Sequence, residues 1–333
     1  MTIPSTQKVV LFRENGGLDV LRYEEDFPVP TISASQVLIK NQYAGVNFIE
    51  AYFRSGLYPS EKPYVLGREA VGVIAAVGKD VTNLKQGDRV AYLGGSSFAQ
   101  YTAAEASGKI FKLDADIDEE TAQVYAGLLI NGLTTLTFIN ESYKVQKGDY
   151  ILVHAAAGGC GLLFAQQISA KGAHVIATAS SPEKLQLAKE AGAEFLINSS
   201  TEDIVARVKE ITHNKGVEAV YDGIGKDTFE ISLEVVARKG TLVSFGNASG
   251  AVPPFLISRL SAKNVKVLRP SLFNYLADQE EWDFYSQELL RLVKEGILKQ
   301  KITKVYPLAE YRQAAEDLEG RKTTGKLVLE IPQ

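Results

Sequence analysis

The chain has 333 residues, of which 45% are hydrophobic and 23% charged, and its formal net charge is −4. That length predicts about two domains with a core each, and the acidic balance without a long basic run argues against a dedicated nucleic-acid-binding protein, leaving room only for a local basic surface. A single cysteine, Cys160, excludes an intrachain disulfide and a four-cysteine zinc lobe, and it fits a reducing, cytoplasmic setting.

Taken in order, the first ten residues, MTIPSTQKVV, lack the apolar core of a secretion signal, and no stretch of the chain reads as a bilayer span. Residues 1–120 read as mostly β. Lys8–Phe12, Gln36–Tyr43, Gly72–Val77 and Arg89–Tyr92 are short apolar or alternating runs separated by Gly, Asp, Pro and Asn. Glu119–Thr137 reads as a helix, weakened by Gly127 and Gly132. From Asp149 to about Lys266 strands and helices alternate. The apolar runs are Ile151–Val153, Val175–Ala177, Phe195–Ile197, Ala219–Tyr221 and Thr241–Phe245, which predicts a doubly wound parallel sheet. After Pro270 come a helix over Glu280–Glu295, a strand over Lys304–Pro307, a helix near Leu308–Gly320 and a strand over Lys326–Ile331. A lone terminal strand needs a sheet to join, so this tail is expected to return to the first domain. The domains are therefore drawn as 1–126 with 270–333, and 127–269.

The stretch Tyr150–Ala179 is a strand, a glycine-rich turn, a helix and a second strand, the context a dinucleotide fingerprint requires. Gly158 lets the backbone approach a pyrophosphate, and Gly161 lets the helix pack close to the strand. The amides at the start of the helix, at Gly159, Cys160 and Gly161, attract phosphate. The first glycine of the usual pattern is replaced by Ala156. Cys160 reads as a small apolar filler. About 20 residues on, where an NAD-binding fold carries an acid, stands Ser180. Ser180 can hydrogen-bond a 2′-phosphate and Lys184 can neutralise it, which favours NADPH. Ser180 and Pro182 can also cap a helix over Glu183–Ala191.

Several stretches carry a family resemblance: GVNFIEAYFRSGLYP (Gly45–Pro59), LGREAVGVIAAVG (Leu66–Gly78), GDRVAYL, NGLTTL, HAAAGGCG, FGNASG, RPSL and GRKTTGKLVL (Gly320–Leu329). They run in order along nearly the whole chain. The chain resembles the quinone oxidoreductases, or ζ-crystallins, of the medium-chain dehydrogenase/reductase superfamily, and is most similar to fungal members. The resemblance implies a β-rich, GroES-like catalytic domain into which a Rossmann domain is inserted.

Zinc-dependent relatives carry Gly-His-Glu where this chain has Gly67-Arg68-Glu69, and the three histidines, His154, His174 and His213, read as structural or surface residues. No metal is therefore expected. Without a Lewis acid, the remaining chemistry is reduction of an already electron-poor acceptor. Asn47 can donate an amide hydrogen bond to a carbonyl or to the nicotinamide ribose. Tyr52 reads equally as a proton donor, an aromatic wall or core packing. Glu50 and Arg54, in the same segment, read equally as an exposed ion pair. The resemblance places Thr135 near the nicotinamide, Arg269 in the cofactor cleft and Arg321 on the 2′-phosphate. Phe245, Gly246 and Asn247 follow a parallel strand at the end where ligands bind. Ser199 stands where the family often has a tyrosine on the adenine side. The reading is an NADPH-dependent, zinc-independent quinone reductase. The alternatives are an enone or alkenal reductase, or an NADPH-sensitive binder of AU-rich RNA. The edge run Asn264–Arg269 suggests a homodimer.

Overall fold

The computed structural model describes residues 3–333. The chain divides into two compact units. One holds the residues up to Ile130 together with Gln300–Gln333, and the other is Asn131–Lys299.

The first unit begins with β1 (Thr6–Phe12), β2 (Arg22–Pro28), β3 (Gln36–Gly45), helix α1 (Ile49–Ser55), β4 (Tyr64–Val65), β5 (Glu69–Val77), β6 (Arg89–Leu93), β7 (Tyr101–Glu105) and β8 (Ile110–Lys112). Strand β1 lies antiparallel between β2 and β4. The long strand β3 pairs antiparallel with β5 and β7. Phe12, Val37, Ile39, Leu66, Ile74, Tyr92 and Phe98 interlock as its core. β2 (RYEEDFP) and β7 (YTAAE) were not expected from the sequence. One is rich in exposed acids and the other in small residues, so neither shows the apolar alternation that marks a strand.

Helix α2 (Glu119–Thr137) matches its expected span, and the boundary between the units falls inside it. With the turn that follows, Glu119–Ser142 is long and apolar enough to cross a membrane by length and composition, contrary to the sequence reading. Since 78% of its apolar window is buried in the fold, core packing accounts for the composition.

The second unit contains β9 (Tyr150–Val153), α3 (Gly159–Ala170), β10 (His174–Ala179), α4 (Pro182–Glu190), β11 (Phe195–Asn198), α5 (Ile204–Ile211), β12 (Val217–Asp222), α6 (Phe229–Val235), β13 (Val236–Ser244) and β14 (Lys266–Leu268). They form one parallel sheet in the order β11-β10-β9-β12-β13-β14, the doubly wound arrangement expected. Its strands are buried on both faces. Val153, Phe164, Val175 and Tyr221 pack on one side, and Leu152, Ile176, Val220 and Leu242 on the other.

The unit does not stop at Arg269. Helices α7 (Leu272–Tyr275) and α8 (Gln279–Lys294) stay with it. The Tyr275 ring packs edge-on against Phe138 at 5.9 Å, and the Lys299 amide donates to Gln166 at 2.8 Å. The chain then returns to the first unit as β15 (Ile302–Pro307), α9 (Tyr311–Glu319) and β16 (Lys326–Glu330). The terminal strand β16 finds its sheet between β15 and β3.

The contact between α3 and β9 depends on Gly161. A Cβ there would lie 2.4 Å from the Ala155 carbonyl oxygen and 2.6 Å from Ala156 Cα. Backbone cannot yield as a flexible side chain does. Gly161→Ala is expected to cost roughly 1–3 kcal/mol of stability, read as a lower urea midpoint. Gly95→Ala, where a Cβ meets nothing within 4 Å, is the control and should leave the midpoint in place.

Candidate functional site

In the second unit, β9 delivers the chain into a turn in which Ala155 takes a left-handed φ of 50°. Gly158, extended at φ −78° and ψ 174°, is the N-cap of α3. The amides of Gly159, Cys160 and Gly161 occupy the first turn, where an α-helix has no internal acceptors. They point out at the positive end of a 12-residue helix. A Cβ on Gly158 would meet only the Ala155 oxygen, at 3.3 Å, so its other side is open to a ligand. Cys160 sits half-buried beside the core of this unit.

Beneath the turn lies a buried polar chain. The Asp222 carboxylate, at the end of β12, accepts from the Ile224 and Gly225 amides and from the Thr228 and Ser232 hydroxyls. His154, which follows β9, lies with Nε2 3.1 Å from Ser232 Oγ and Nδ1 3.1 Å from Thr178 Oγ1. Ser232 gives its proton to Asp222, so it accepts from Nε2–H, and the Thr178 hydroxyl donates to Nδ1. Burial holds the His154 pKa below the ordinary imidazole value, with the Asp222 charge opposing. The chain ties the carboxyl ends of β9, β10 and β12 to α6, and its members are buried. His174 lies at the start of β10, stacked on Tyr150 and paired with Glu194. His213 lies exposed in the turn after α5.

Ser180 is exposed directly after β10. It is not the helix cap: Ser181 takes that place, with Pro182 at the first helical position, and the helix runs Pro182–Glu190 rather than Glu183–Ala191. The Ser180 hydroxyl therefore has no capping duty. Lys184, whose amide is the one capped, lies in the first turn of the same helix. Thr135 is buried, donates to the Gly132 carbonyl at 3.0 Å and accepts from Gln167. Phe245 packs edge-on against Phe138 and Phe164. Gly246 lies so close to Gly223 that a Cβ would come within 2.2 Å of its oxygen. Arg269 gathers this corner, donating to the carbonyls of Ser244 and Gly246 at 3.1 Å each. The Asn247 amide, with its oxygen turned to Arg269, accepts from Nη2 at 2.9 Å.

In the first unit, Asn47 is buried and its amide is committed at both ends. Its Nδ2 donates to Glu69 Oε1 at 2.8 Å and to the Gly45 carbonyl at 3.2 Å, while its Oδ1 accepts from Lys326 Nζ at 2.6 Å. Lys326 also donates to Glu69 Oε1 at 2.8 Å, and the Ile130 amide donates to Oε2. Glu69 and Lys326 form a buried ion pair, which the sequence reading missed. The available signal was a charge opening each of two apolar strands, EAVGVIAAV and KLVLE. Tyr52 is nearly buried, with its ring 5.6 Å from Phe48 and 5.3 Å from Tyr58. Arg321 is exposed in the turn between α9 and β16, at a left-handed φ of 58°.

Glu50 and Arg54 are not an exposed pair. Both are buried, because the short helix α1 has no solvent-facing side at these positions. Arg54 instead makes a bidentate bond to Glu319, at 2.7 and 2.8 Å. Among the described residues, neither Glu50 oxygen receives a hydrogen bond of good geometry, although the Gly67 amide is close enough to favour the charged form. Burial pushes the Glu50 carboxyl up to about 7 against the opposing charge of Arg68. Arg68 stacks over Phe53 and donates to the Tyr64 hydroxyl at 2.7 Å. Among the described residues no group of three or more His, Cys, Asp or Glu side chains is placed to hold a metal ion.

Two family descriptions match this chain. Residues 33–115 match the alcohol dehydrogenase GroES-like domain and residues 159–291 the zinc-binding dehydrogenase domain. A probable quinone oxidoreductase of Schizosaccharomyces pombe is 42% identical over 304 residues, 90% of each chain. The crystal structure of a Pseudomonas syringae quinone oxidoreductase superposes with a TM-score of 0.93 at 39% identity, covering 98% of this chain and all of that one. An Escherichia coli quinone oxidoreductase complexed with NADPH gives 0.90 at 38% identity, over 97% of this chain and 99% of the other.

The pH dependence of stability reports on Glu50. A carboxyl whose pKa rises from 4.5 to about 7 on folding binds more protons folded than unfolded. Its contribution is fully present below 4.5 and is lost as pH rises through about 7. The loss is on the order of 3 kcal/mol. Urea midpoints at pH 5, 6, 7 and 8 should show Glu50→Gln gaining on the wild type across this window. A difference that stays constant with pH would show that Glu50 ionises freely in the fold.

Proposed function

Because the chain belongs to the quinone oxidoreductase family of medium-chain dehydrogenases/reductases, we propose that it reduces quinones at the expense of NADPH. The observation that carries this reading is the first-turn amides of α3, from Gly159 to Gly161, set after a parallel strand whose neighbour β10 is followed directly by an exposed, uncharged Ser180. It fits a pyrophosphate and leaves a 2′-phosphate unopposed by an acid.

Bound NADPH supplies a hydride equivalent to an electron-poor acceptor. In this proposal the amides of Gly159, Cys160 and Gly161 bind the pyrophosphate. Ser180 and Lys184 hold the 2′-phosphate. Thr135, Phe245, Gly246, Asn247 and Arg269 orient the nicotinamide half. Asn47 and Tyr52 serve the reacting end, where Tyr52 closes an aromatic wall with Phe48 and Tyr58. Charge at the acceptor comes from side chains and not from a metal. The protein is assigned to the cytoplasm, consistent with its one cysteine. The test is product analysis on chelator-treated protein given NADPH and either 1,4-benzoquinone or an enone. Hydroquinone or semiquinone formation supports the proposal. Turnover of the enone alone, to a saturated carbonyl, would replace it with conjugate reduction.

Cofactor choice follows from the charge beside the ribose. NADPH should bind at least tenfold more tightly than NADH, about 1.4 kcal/mol, and Ser180→Asp should narrow or reverse the preference. Equal dissociation constants for the unmodified protein would defeat this assignment.

A homodimer is the proposed assembly. Strand β14 is the last of its sheet, and Leu256 and Ile257 just before it in sequence are 73% and 80% exposed. An edge strand and exposed apolar side chains are each relieved by a second copy. Light scattering at micromolar concentration should give twice the chain mass, and a monomer there would count against it.

A further inference from the structure

Asn47 is held by two opposite charges, and their arrangement does more than fill space. Its oxygen faces the Lys326 ammonium at 2.6 Å and its nitrogen faces the Glu69 carboxylate at 2.8 Å. Turning the amide over would set N–H hydrogens against the ammonium and the oxygen against the carboxylate. Both contacts would become repulsive, so only one of the two orientations is stable.

The device is built from four separated segments of the first unit. Glu69 opens β5 and Lys326 opens β16. Glu69 Oε1 takes the Asn47 amide and the Lys326 ammonium, and Oε2 takes the Ile130 amide at 2.8 Å, so both carboxylate oxygens are hydrogen-bonded. Two glycines leave room for it. A Cβ on Gly45 would stand 2.3 Å from Glu69 Oε1, and a Cβ on Gly127 would stand 2.8 Å from Lys326 Cγ. Glu69 and Lys326 are 0% and 2% exposed. Stability is a poor reason for such a pair, because removing both charges from water costs about what their attraction returns. Orientation is a better one. The ammonium also polarises the amide through its oxygen and strengthens the N–H groups as donors. Of the two Asn47 N–H bonds, the one to the Gly45 carbonyl, at 3.2 Å, is the longer and so the weaker.

We propose that Glu69 and Lys326 are positioning residues that lock the Asn47 amide in one orientation for the reaction. This rests on the reading above that Asn47 serves the reacting end. Lys326 then acts through Asn47 and not beside it.

The experiment measures 1,4-benzoquinone reduction by NADPH, NADPH affinity by fluorescence titration, and thermal midpoints. It compares Asn47→Ala, Lys326→Met, the double variant of these two, and Glu69→Gln/Lys326→Met. Lys326→Met should lower kcat/KM at least tenfold with NADPH affinity within a few-fold. Adding Asn47→Ala to it should cost no more than a further twofold, since both remove the same interaction. Glu69→Gln/Lys326→Met carries no lone buried charge, so it should recover most of the thermal midpoint that Lys326→Met loses while activity stays low. That variant also carries the test if Lys326→Met does not fold.

Recovery of activity together with the midpoint would make the pair purely structural and overturn the proposal. Losses that multiply in the Asn47→Ala/Lys326→Met variant would overturn it too, leaving the reading of Asn47 in place. Unchanged turnover in Asn47→Ala alone would remove that reading, and the lock with it.

Discussion

The absence of a side chain at position 161 is the constraint on which the nucleotide-binding half depends. Backbone atoms of Ala155 and Ala156 occupy the space a methyl group would need. Helix α3 can therefore lie close against the strand end, and its first-turn amides face outward from a fixed support. Everything under that turn serves the same end. Asp222, Ser232, His154 and Thr178 satisfy one another in a chain that closes the carboxyl ends of three strands. A buried polar network of this kind is costly if any member is left over and rigid when none is. Here each named hydroxyl and ring nitrogen has a partner.

The first unit handles buried charge in two contrasting ways. Glu69 is surrounded by donors and sits in a complete network. Glu50, nineteen positions earlier by its number, has Arg68 near it but no hydrogen bond of good geometry among the described residues. Burial without such donors raises the Glu50 pKa. The arrangement gives this part of the fold one anchored charge and one proton-responsive group.

Much of this architecture was legible beforehand. Parallel strands buried on both faces write themselves as short apolar runs, so Ile151–Val153, Val175–Ala177 and Ala219–Tyr221 fell inside the observed β9, β10 and β12. The glycine turn was readable because close approach of backbone leaves no room for a side chain at Gly161. What stayed hidden depended on distant partners. Arg54 and Glu50, four apart, satisfy the spacing of a surface ion pair, yet α1 is buried and Arg54 finds Glu319 instead. Helix α8 was readable as a helix, but its amphipathic pattern does not say which sheet it covers. The roles of Glu69 and Lys326 needed both to be seen at one amide.

The split of the first unit around the second has a consequence for the order in which the protein is made. Synthesis runs from the amino end, and units tend to fold as they emerge. Asn47 and Glu69 leave the ribosome early, but Lys326 follows only after the whole of Asn131–Lys299. Until then Glu69 lacks its cation, Arg54 lacks Glu319, and β3 lacks β16 as a neighbour. The nucleotide-binding unit is continuous in sequence and can close first. The amide of Asn47 is set last, so a nascent chain can complete the glycine turn of α3 before Asn47 has both of its charged partners.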